Sequence, residues 1–320
     1  MKKLNCVVIG ECMIELSGSP FSALKQTCGG DVLNTAIYLA RCAEDIVDIR
    51  FVTVIGTDPL SEGMRRRWQQ EKINTDWLAT DPSRLPGVYF IQTNEVGERS
   101  FLYWRDNSAA KYLLQHAGYA ALREEIAGAD WIYLSGISLA ILPEEDRQRL
   151  LQDLAFWQKN GATIIFDSNY RPALWREPEE ARHVFSQMYQ CSDLLLVTDE
   201  DEATLWQEAD PALTLKRLSL MSQADILVKM GAKGCVYQSR DRQQDTITIP
   251  TLPVESVVDS TSAGDAFNAG VLAGLAHNRP LSQAASWGHL LAGRVIQHPG
   301  AIIPVAAMQD LISSFKSSKG

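Results

Sequence analysis

The strongest constraint on the fold is an alternation of short apolar runs with longer helical patterns. Runs of β type occur at residues 4–10, 50–56, 131–136, 162–167, 193–198 and 225–231. Helical patterns lie between them, at residues 31–42, 60–72, 144–160 and 177–190. Strands that are apolar throughout are covered on both faces, so this order predicts a three-layer α/β/α sandwich with a mainly parallel central sheet.

Two segments interrupt the alternation. Residues 12–28 are rich in turn residues, and residues 86–105 contain two β-type runs joined through NEVGE at 94–98. The second segment has the pattern of a hairpin, placed where the next helix is expected. We therefore predict a small antiparallel β-lid built from these two insertions. Neither a linker nor an internal repeat divides the sequence, so residues 1–320 are predicted to form a single domain.

Composition excludes several classes of partner. The chain has 320 residues and a formal net charge of −9, which gives no electrostatic footprint for nucleic acid or anionic lipid. Its longest nearly apolar run, residues 131–142, falls short of the roughly 20 residues of a membrane span. The six cysteines include no CxxC pair, which argues against a disulfide framework or a zinc site. We expect a cytoplasmic protein.

The sequence DSTSAGD at residues 259–265 precedes an apolar helical pattern at 266–277. Ser262, Ala263 and Gly264 are small enough for a phosphate to approach the main-chain amides, and the helix adds its positive end. Asp265 is then placed to take the proton of a hydroxyl group during phosphoryl transfer. The alternative interpretation is that Asp259 and Asp265 are capping or turn residues.

The common nucleotide-binding signatures are absent from the sequence, which has neither GxxxxGK[ST] nor a strand followed by GxGxxG. KMGAKG at residues 229–234 directly follows a β-type run. Its glycines, Gly231 and Gly234, fit a loop that passes close to a nucleotide. They fit a tight turn between two strands equally well.

The chain resembles the ribokinase-like (PfkB) carbohydrate kinases. The resemblance is carried by GGDVLN at 29–34 and DSTSAGD at 259–265, and it extends to GAIIP at 300–304. It implies a ribokinase-like fold, ATP and Mg²⁺ as cofactors, and transfer of phosphate to a sugar hydroxyl. Within the family, the likeness is closest to kinases of 2-keto-3-deoxygluconate, through GECMIEL (10–16), LPGVYFIQT (85–93), GERSFLYWR (97–105) and IIFDSNYRPALW (164–175). The implied reaction is phosphorylation of 2-dehydro-3-deoxy-D-gluconate at O6.

An acidic sugar needs a cationic partner, and arginine can bind a carboxylate with two parallel hydrogen bonds. Arg105 and Arg171 are candidates, and a surface salt bridge is the alternative for either. The resemblance further implies that Gly30, Asp31 and Asn34 hold sugar hydroxyls and that Tyr89 and Tyr103 contact the sugar from the lid. It implies an ATP site formed by Asn169, Arg171, Lys229, Gly231 and Gly234.

Three positions depart from the family pattern. Ser262 stands where most members have Gly. Asp199 replaces the Asn of a metal-linked NxxE pattern while Glu202 is retained, so the resemblance implies an indirect contact of Glu202 with Mg²⁺. His289 stands where the family often has Asn near the adenine, and we assign it no role.

Two other functions stay open on the sequence. One is a related kinase of a neutral sugar such as fructose or ribose, and the other is a non-catalytic sugar-binding protein on the same fold. The preference between gluconate- and galactonate-derived isomers is also undetermined. Exposed lid edges invite pairing between subunits, so we expect a homo-oligomer that binds a small sugar acid and ATP.

Overall fold

The structure is a computed structural model, and it describes residues 2–93, 99–208, 210–242 and 246–317. Its strands are β1 (Leu4–Ile9), β2 (Met13–Ser17), β3 (Lys25–Gly29), β4 (Val47–Val52), β5 (Val54–Ile55), β6 (Ala79–Thr80), β7 (Val88–Thr93), β8 (Arg99–Trp104), β9 (Trp131–Ser135), β10 (Thr163–Asp167), β11 (Leu194–Thr198), β12 (Asp225–Lys229), β13 (Cys235–Gln238) and β14 (Ile247–Ile249).

The α-helices are α1 (Asp31–Ala43), α2 (Pro59–Gln70), α3 (Tyr119–Ile126), α4 (Gly136–Ala140), α5 (Glu144–Lys159), α6 (Pro178–Cys191), α7 (Asp199–Trp206), α8 (Pro211–Met221), α9 (Ala263–Ala276), α10 (Leu281–Val295) and α11 (Gln309–Ser317). Short 3₁₀ segments occur at Ala109–Gln115, Pro172–Leu174, Gly231–Lys233 and Val305–Met308. In the parts of the chain that the structure describes, every helix is too short or too polar to cross a membrane.

The central sheet has eight strands in the order β14-β13-β12-β11-β10-β9-β1-β4. The six strands from β12 to β4 run parallel, and β13 and β14 continue the sheet antiparallel at one edge. This arrangement confirms the predicted α/β fold with a mainly parallel sheet.

Each face of the central sheet carries its own hydrophobic core. On β1, Val8 belongs to the core that includes Leu33 of α1 and Leu272 of α9. Its neighbours Val7 and Ile9 belong to the core on the other side, which is covered by α5 and α6. Successive side chains of a strand point to opposite faces, so an apolar strand of this kind requires helices on both sides.

A second sheet of four strands, in the order β3-β2-β7-β8, is formed by the two segments predicted to build the lid. The β7–β8 hairpin is antiparallel, with Val88 opposite Trp104, as predicted. The predicted connection at 94–98 lies outside the described residues. The sheet is mixed, because the central pair β2–β7 is parallel. The long connection between β2 and β7 contains α1 and α2, which lets both strands run in the same direction.

The topology brings several chain segments to one edge of the central sheet. The carboxyl ends of β1, β9, β10, β11 and β12 meet there, because these strands are parallel. Helix α9 begins at Ala263, three residues before the predicted helical pattern. Asp265 therefore lies in the first turn of α9. Open α/β sheets bind their ligands at this kind of edge.

Candidate active site

Asp265 is held by side chains from two elements. Asn34 Nδ2 on α1 donates a hydrogen bond to Asp265 Oδ2 at 2.8 Å, and Ser262 Oγ donates to the same oxygen at 3.0 Å. Burial and the neighbouring carboxylate of Asp31 raise the pKa of Asp265 to about 7, although the two hydrogen bonds lower it. A carboxyl group with this pKa can accept a proton near neutral pH.

The turn before α9 offers backbone donors to an anion. Ser262 has φ of 66°, a left-handed conformation that favours glycine. The amide of Ala263 donates to Ser260 O at 3.2 Å, so this part of the predicted anion hole is already engaged. The amides of Gly264 and Asp265 lie in the first helical turn, where N–H groups lack intrahelical acceptors. The predicted anion hole would therefore use these two amides rather than that of Ala263.

A buried cation lies under the same turn. Lys229 Nζ, at the carboxyl end of β12, donates to Asp167 Oδ1 at 2.9 Å and to Asn268 Oδ1 at 3.2 Å. Asn268 Nδ2 in turn donates to Asp167 Oδ2 at 2.9 Å. A Cβ atom added to Gly264 would lie 3.8 Å from Lys229 Nζ. The ammonium group thus adds positive charge next to the backbone donors of the turn.

Gly231 and Gly234 form the tight turn between β12 and β13, with φ of 56° and 93°. A Cβ atom at Gly234 would lie 2.3 Å from the carbonyl oxygen of Ile249. The positive φ favours glycine at both positions, and the close approach of Ile249 further requires it at Gly234, as the turn interpretation predicts. Their role toward a nucleotide stays a prediction.

The connection from β3 to α1, residues 29–31 (the Gly30 loop), and the first turn of α1 carry the three predicted sugar-binding residues. Two of them, Asp31 and Asn34, lie beside Asp265. Gly30 packs so closely that a Cβ atom there would lie 2.3 Å from Glu11 O. Asn34 follows one turn later, and its Oδ1 is buried with no partner among the described residues. Asn169 Nδ2 donates to Asp31 Oδ2 at 2.7 Å. The side-chain amide of Asn169 therefore points to Asp31 in this structure. The resemblance implied that Asn169 contacts the triphosphate of ATP, which stays a prediction.

The lid sheet and the residue that follows it carry three predicted substrate contacts, namely Tyr89, Tyr103 and Arg105. Arg105, just after β8, forms an ion pair with Glu11, and the two side chains are 11% and 2% exposed. The Tyr89 hydroxyl on β7 donates to Glu15 on β2, and burial together with this carboxylate raises the pKa of Tyr89. Tyr103 lies beside Tyr89, with 5.9 Å between the ring centroids, and is 54% exposed.

The second candidate arginine is less enclosed. The side chain of Arg171 is 52% exposed, and its Nη1 lies 3.3 Å from Asp201 Oδ1. It follows β10, whose carboxyl end is at the site edge. Of the two arginines, Arg105 is the more enclosed, because its side chain is 11% exposed.

The structure does not support the contact of Glu202 with Mg²⁺ that the resemblance implied. Glu202 is fully buried, and its oxygens accept hydrogen bonds from Tyr189 OH and Arg217 Nη2, both at 2.7 Å. Burial raises the pKa of Glu202. Both carboxylate oxygens are occupied by this buried pair, so they are not open to the water shell of a metal ion.

His289, left unassigned on the sequence, joins two elements in the structure. Its ring packs against Phe267 of α9, with 4.9 Å between centroids, and its Nε2 lies 3.2 Å from Ile249 O of β14. Burial lowers the pKa of His289, which favours the neutral ring. Nε2 is then the protonated nitrogen that donates to the carbonyl.

The sequence reasoning gave no role to several side chains that build this site. Glu11 and Asp167 contact Arg105 and Lys229, and Asn268 completes the network under the turn. The positions of Glu11 and Asp167 relative to the predicted strands could have indicated them. Glu11 is two residues beyond the end of β1, and Asp167 is the last residue of β10, so both lie at the sheet edge where ligands bind.

Sequence comparison finds one family and a consistent set of relatives. The model of the pfkB family carbohydrate kinase matches residues 3–308. A 2-dehydro-3-deoxygluconokinase from Haemophilus influenzae is 45% identical and covers 98% of this chain and 100% of the relative. The enzyme of the same name from Escherichia coli K12 is 42% identical over 94% and 97%. A fructokinase from Vibrio alginolyticus is 27% identical over 95% and 97%.

Solved structures share the fold at low sequence identity. A PfkB protein from Polaromonas has a TM-score of 0.81, with 22% identity, and covers 96% of this chain and 99% of its own. A fructokinase from Xylella fastidiosa with bound ATP has a TM-score of 0.80, with 21% identity over 98% of each chain. These matches agree with the sandwich and the separate lid sheet described above.

Proposed function

Because the chain belongs to the pfkB family of carbohydrate kinases, we propose that it transfers the γ-phosphoryl group of ATP to O6 of 2-dehydro-3-deoxy-D-gluconate. The relatives that are 42–45% identical over nearly the whole chain bear the name of this activity, whereas the fructokinase is at 27%. The observation that carries the proposal is the position of Asp265, whose pKa is about 7, between Asn34 and the start of α9.

Asp265 acts as the general base. Its ionised carboxylate takes the proton of the O6 hydroxyl while O6 forms a bond to the γ-phosphorus. The bond from that phosphorus to the β,γ-bridging oxygen breaks, and ADP leaves with the electron pair. Asn34 and Ser262 orient the carboxylate, since both donate to its Oδ2. A positioned general base is typically worth about 10²- to 10⁴-fold in rate.

The start of α9 stabilises the phosphoryl group in transfer. The amides of Gly264 and Asp265 and the positive end of the helix face the developing charge. Lys229 adds a positive charge that is kept in place by Asp167 and Asn268. Positioned donors and charges of this kind account for most of the catalysis in phosphoryl transfer.

Mg²⁺ enters this proposal together with ATP. In kinases the ion keeps several waters and binds mainly to substrate phosphates. Across the described residues, we find no group of three or more His, Cys, Asp or Glu side chains that could hold a metal ion unaided. The ion supplies charge neutralisation on the phosphates. Asn169, Arg171, Gly231 and Gly234 remain the proposed surroundings of the nucleotide.

The acidic end of the sugar is proposed to bind at the lid. Arg105 is partly buried beside Glu11 and has donors left for a carboxylate, and its Nε is buried with no partner within the described part of the chain. Tyr89 and Tyr103 lie together on the same sheet and are proposed to contact the sugar. Gly30 and Asp31 are proposed to hold its hydroxyls. Closure of this lid excludes water that would otherwise hydrolyse ATP.

An assay of ADP release over a substrate panel tests the function. The panel holds 2-dehydro-3-deoxy-D-gluconate, its galactonate isomer, fructose and ribose. We expect kcat/KM to be highest for an acidic sugar, because a buried arginine discriminates for a carboxylate. Higher kcat/KM on fructose or ribose would support a neutral-sugar kinase instead. Binding of a sugar without ADP release would support a non-catalytic sugar-binding protein.

We also propose that the protein assembles through its lid. Strand β8 is an edge strand of the second sheet, and its residues Phe101, Leu102, Tyr103 and Trp104 are all exposed. An exposed apolar edge strand is a ready site for pairing with a second chain. A homo-oligomer would cover this surface. A kinase that consumes ATP needs the nucleotide pool of the cytoplasm, where we propose that it acts.

A further inference from the structure

Glu11 lies where three parts of the molecule meet. It follows β1 at the carboxyl edge of the central sheet, and its backbone carbonyl contacts the Gly30 loop closely. Its side chain reaches the lid, where it pairs with Arg105 and lies next to Gly87. The residue is 3% exposed. The carboxylate is therefore enclosed between the Gly30 loop and the lid, and a Cβ atom added to Gly87 would lie 2.9 Å from its Oε1.

The hydrogen bonding of this carboxylate is incomplete. Oε2 of Glu11 accepts from Arg105 Nη2, while Oε1 is buried without a hydrogen-bond partner among the described residues. Two neighbouring groups share this property, namely Arg105 Nε and Asn34 Oδ1. A buried polar atom without a partner costs free energy, so such atoms call for an explanation. Two buried acceptors and one buried donor thus belong to the β1 end, the first turn of α1 and the lid, the three segments that carry the proposed sugar contacts.

We propose that Glu11 is a specificity-determining residue that accepts a hydrogen bond from a hydroxyl group of the sugar acid through Oε1. This inference rests on the proposed kinase function and assigns one more substrate contact to the same site. Oε2 holds Arg105 in place, so that the remaining donors of the guanidinium group meet the substrate carboxylate. One carboxylate side chain thereby positions the acid-binding group and recognises a hydroxyl itself.

The charges of Glu11 and Arg105 are compatible with a site that binds an anionic sugar. A second carboxylate near an anionic substrate would repel it if it were alone. The ion pair with Arg105 neutralises Glu11, and both side chains are almost fully excluded from water. A site that must hydrogen-bond a hydroxyl rejects analogues that lack it, because its own buried acceptor is then left unpaired. Glu11 would therefore contribute selectivity that Arg105 does not provide.

Glu11→Gln is the first test. The glutamine carbonyl must face Arg105 Nη2 to keep that bond, which turns its NH₂ group toward the former position of Oε1 and replaces an acceptor by a donor. We expect Kd for the sugar acid, measured by calorimetry without ATP, to rise about 10- to 100-fold, the range for losing a hydrogen bond to a charged group. KM for ATP should stay within about twofold. An unchanged Kd for the sugar acid would overturn the proposal.

The neutral carboxamide analogue of the substrate separates a direct contact from an indirect one. If Glu11 binds a hydroxyl, Glu11→Gln weakens binding of the acid and of the carboxamide by similar factors. If Glu11 only orients Arg105, the loss is confined to the acid, and this result would overturn the hydroxyl contact. Glu11→Asp, which retracts the carboxylate by one methylene, should also weaken both ligands and provides the answer if the glutamine variant does not fold.

Glu71→Gln is the matched control. Glu71 forms a bidentate pair with Arg41, which joins α1 to the residue after α2. This variant should keep Kd for both ligands within about twofold, although its thermal stability is expected to change. The wild-type panel assay separates the two levels of inference. Absence of turnover on any sugar acid contradicts the function, whereas turnover with unaffected Glu11 variants contradicts only this residue's role.

Discussion

The carboxyl group of Asp265 is buried, which raises its pKa, and it accepts two hydrogen bonds, which lower its pKa. Burial and the charge of Asp31 raise its pKa from an ordinary value near 3.8 to about 7, and the bonds from Asn34 and Ser262 hold it from rising further. The donor from Ser262 comes at a backbone cost, since a non-glycine residue at φ 66° is strained by roughly 1 kcal/mol. The strained turn thus places the Ser262 hydroxyl group where it can donate to the carboxyl group of Asp265, the proposed general base.

This pKa predicts the pH dependence of the reaction. Only the ionised form of Asp265 can accept the O6 proton, so activity requires pH above its pKa. We expect kcat/KM for the sugar acid to fall as pH decreases through about 7, with a slope of one. Ser262→Ala removes a bond that stabilises the charged form and should move this limb to higher pH. A profile that is flat from pH 6 to pH 8 would contradict the assignment.

Two variants identify the titrating group. Asp265→Asn should lower kcat by about 10²- to 10⁴-fold with little change in KM, and its residual activity should lack the limb. Asp201→Asn is the control, because burial raises the pKa of Asp201 to about 6, close enough to be confused with Asp265. That variant should retain the limb near pH 7.

Among the structural elements, β10, β12 and α9 are joined by one buried polar group. Lys229 ends β12, Asp167 ends β10, and Asn268 lies one turn into α9 from Asp265. None of the three is open to solvent, so each relies on the others for its hydrogen bonds. The position of the catalytic helix relative to the sheet edge depends on this group.

Lys229→Met therefore tests how firmly the three elements are joined. Removing the ammonium group leaves Asp167 as a buried charge without its partner, which costs about 3–5 kcal/mol. We expect urea denaturation to show a loss of this size in the free energy of unfolding. Lys233→Met, at an exposed position of the following turn, should change it by less than about 0.5 kcal/mol. Equal stability of the two variants would show that the buried pair does not hold the site together.

At the level of the whole molecule, the lid sheet leaves an apolar strand on the surface. Leu102 of β8 is exposed and is flanked by exposed aromatic residues. We expect Leu102→Glu to convert a homo-oligomer into monomers, because it places a charge in the middle of an apolar interface. Light scattering measures the change. Leu220→Glu, at a still more exposed position on α8 (80% against 49% for Leu102), should leave the mass unchanged, and a monomeric wild type would contradict the proposed assembly.

Several parts of the architecture could be predicted because their signals are local. The apolar run at 131–136 became β9, and the pattern at 144–160 became α5, since periodicity reports which side chains must be covered. The hairpin of the lid was predicted for the same reason. The parallel pairing of β2 with β7 was not, because it joins strands more than 70 positions apart in register, such as Ile14 and Val88.

The sequence by itself determined the class of fold, the turn at residues 262–264 and the carboxyl group that follows it, because these depend on small side chains and local periodicity. Only the tertiary structure decided which groups surround that carboxyl. Asn34 is 231 positions from Asp265, and Glu11 is 94 positions from Arg105. The tertiary structure also encloses Glu202, for which the resemblance implied an indirect contact with Mg²⁺, together with Arg217. Contacts of this kind form where strands and helices that are distant in the sequence pack against each other. A local sequence pattern does not contain this information.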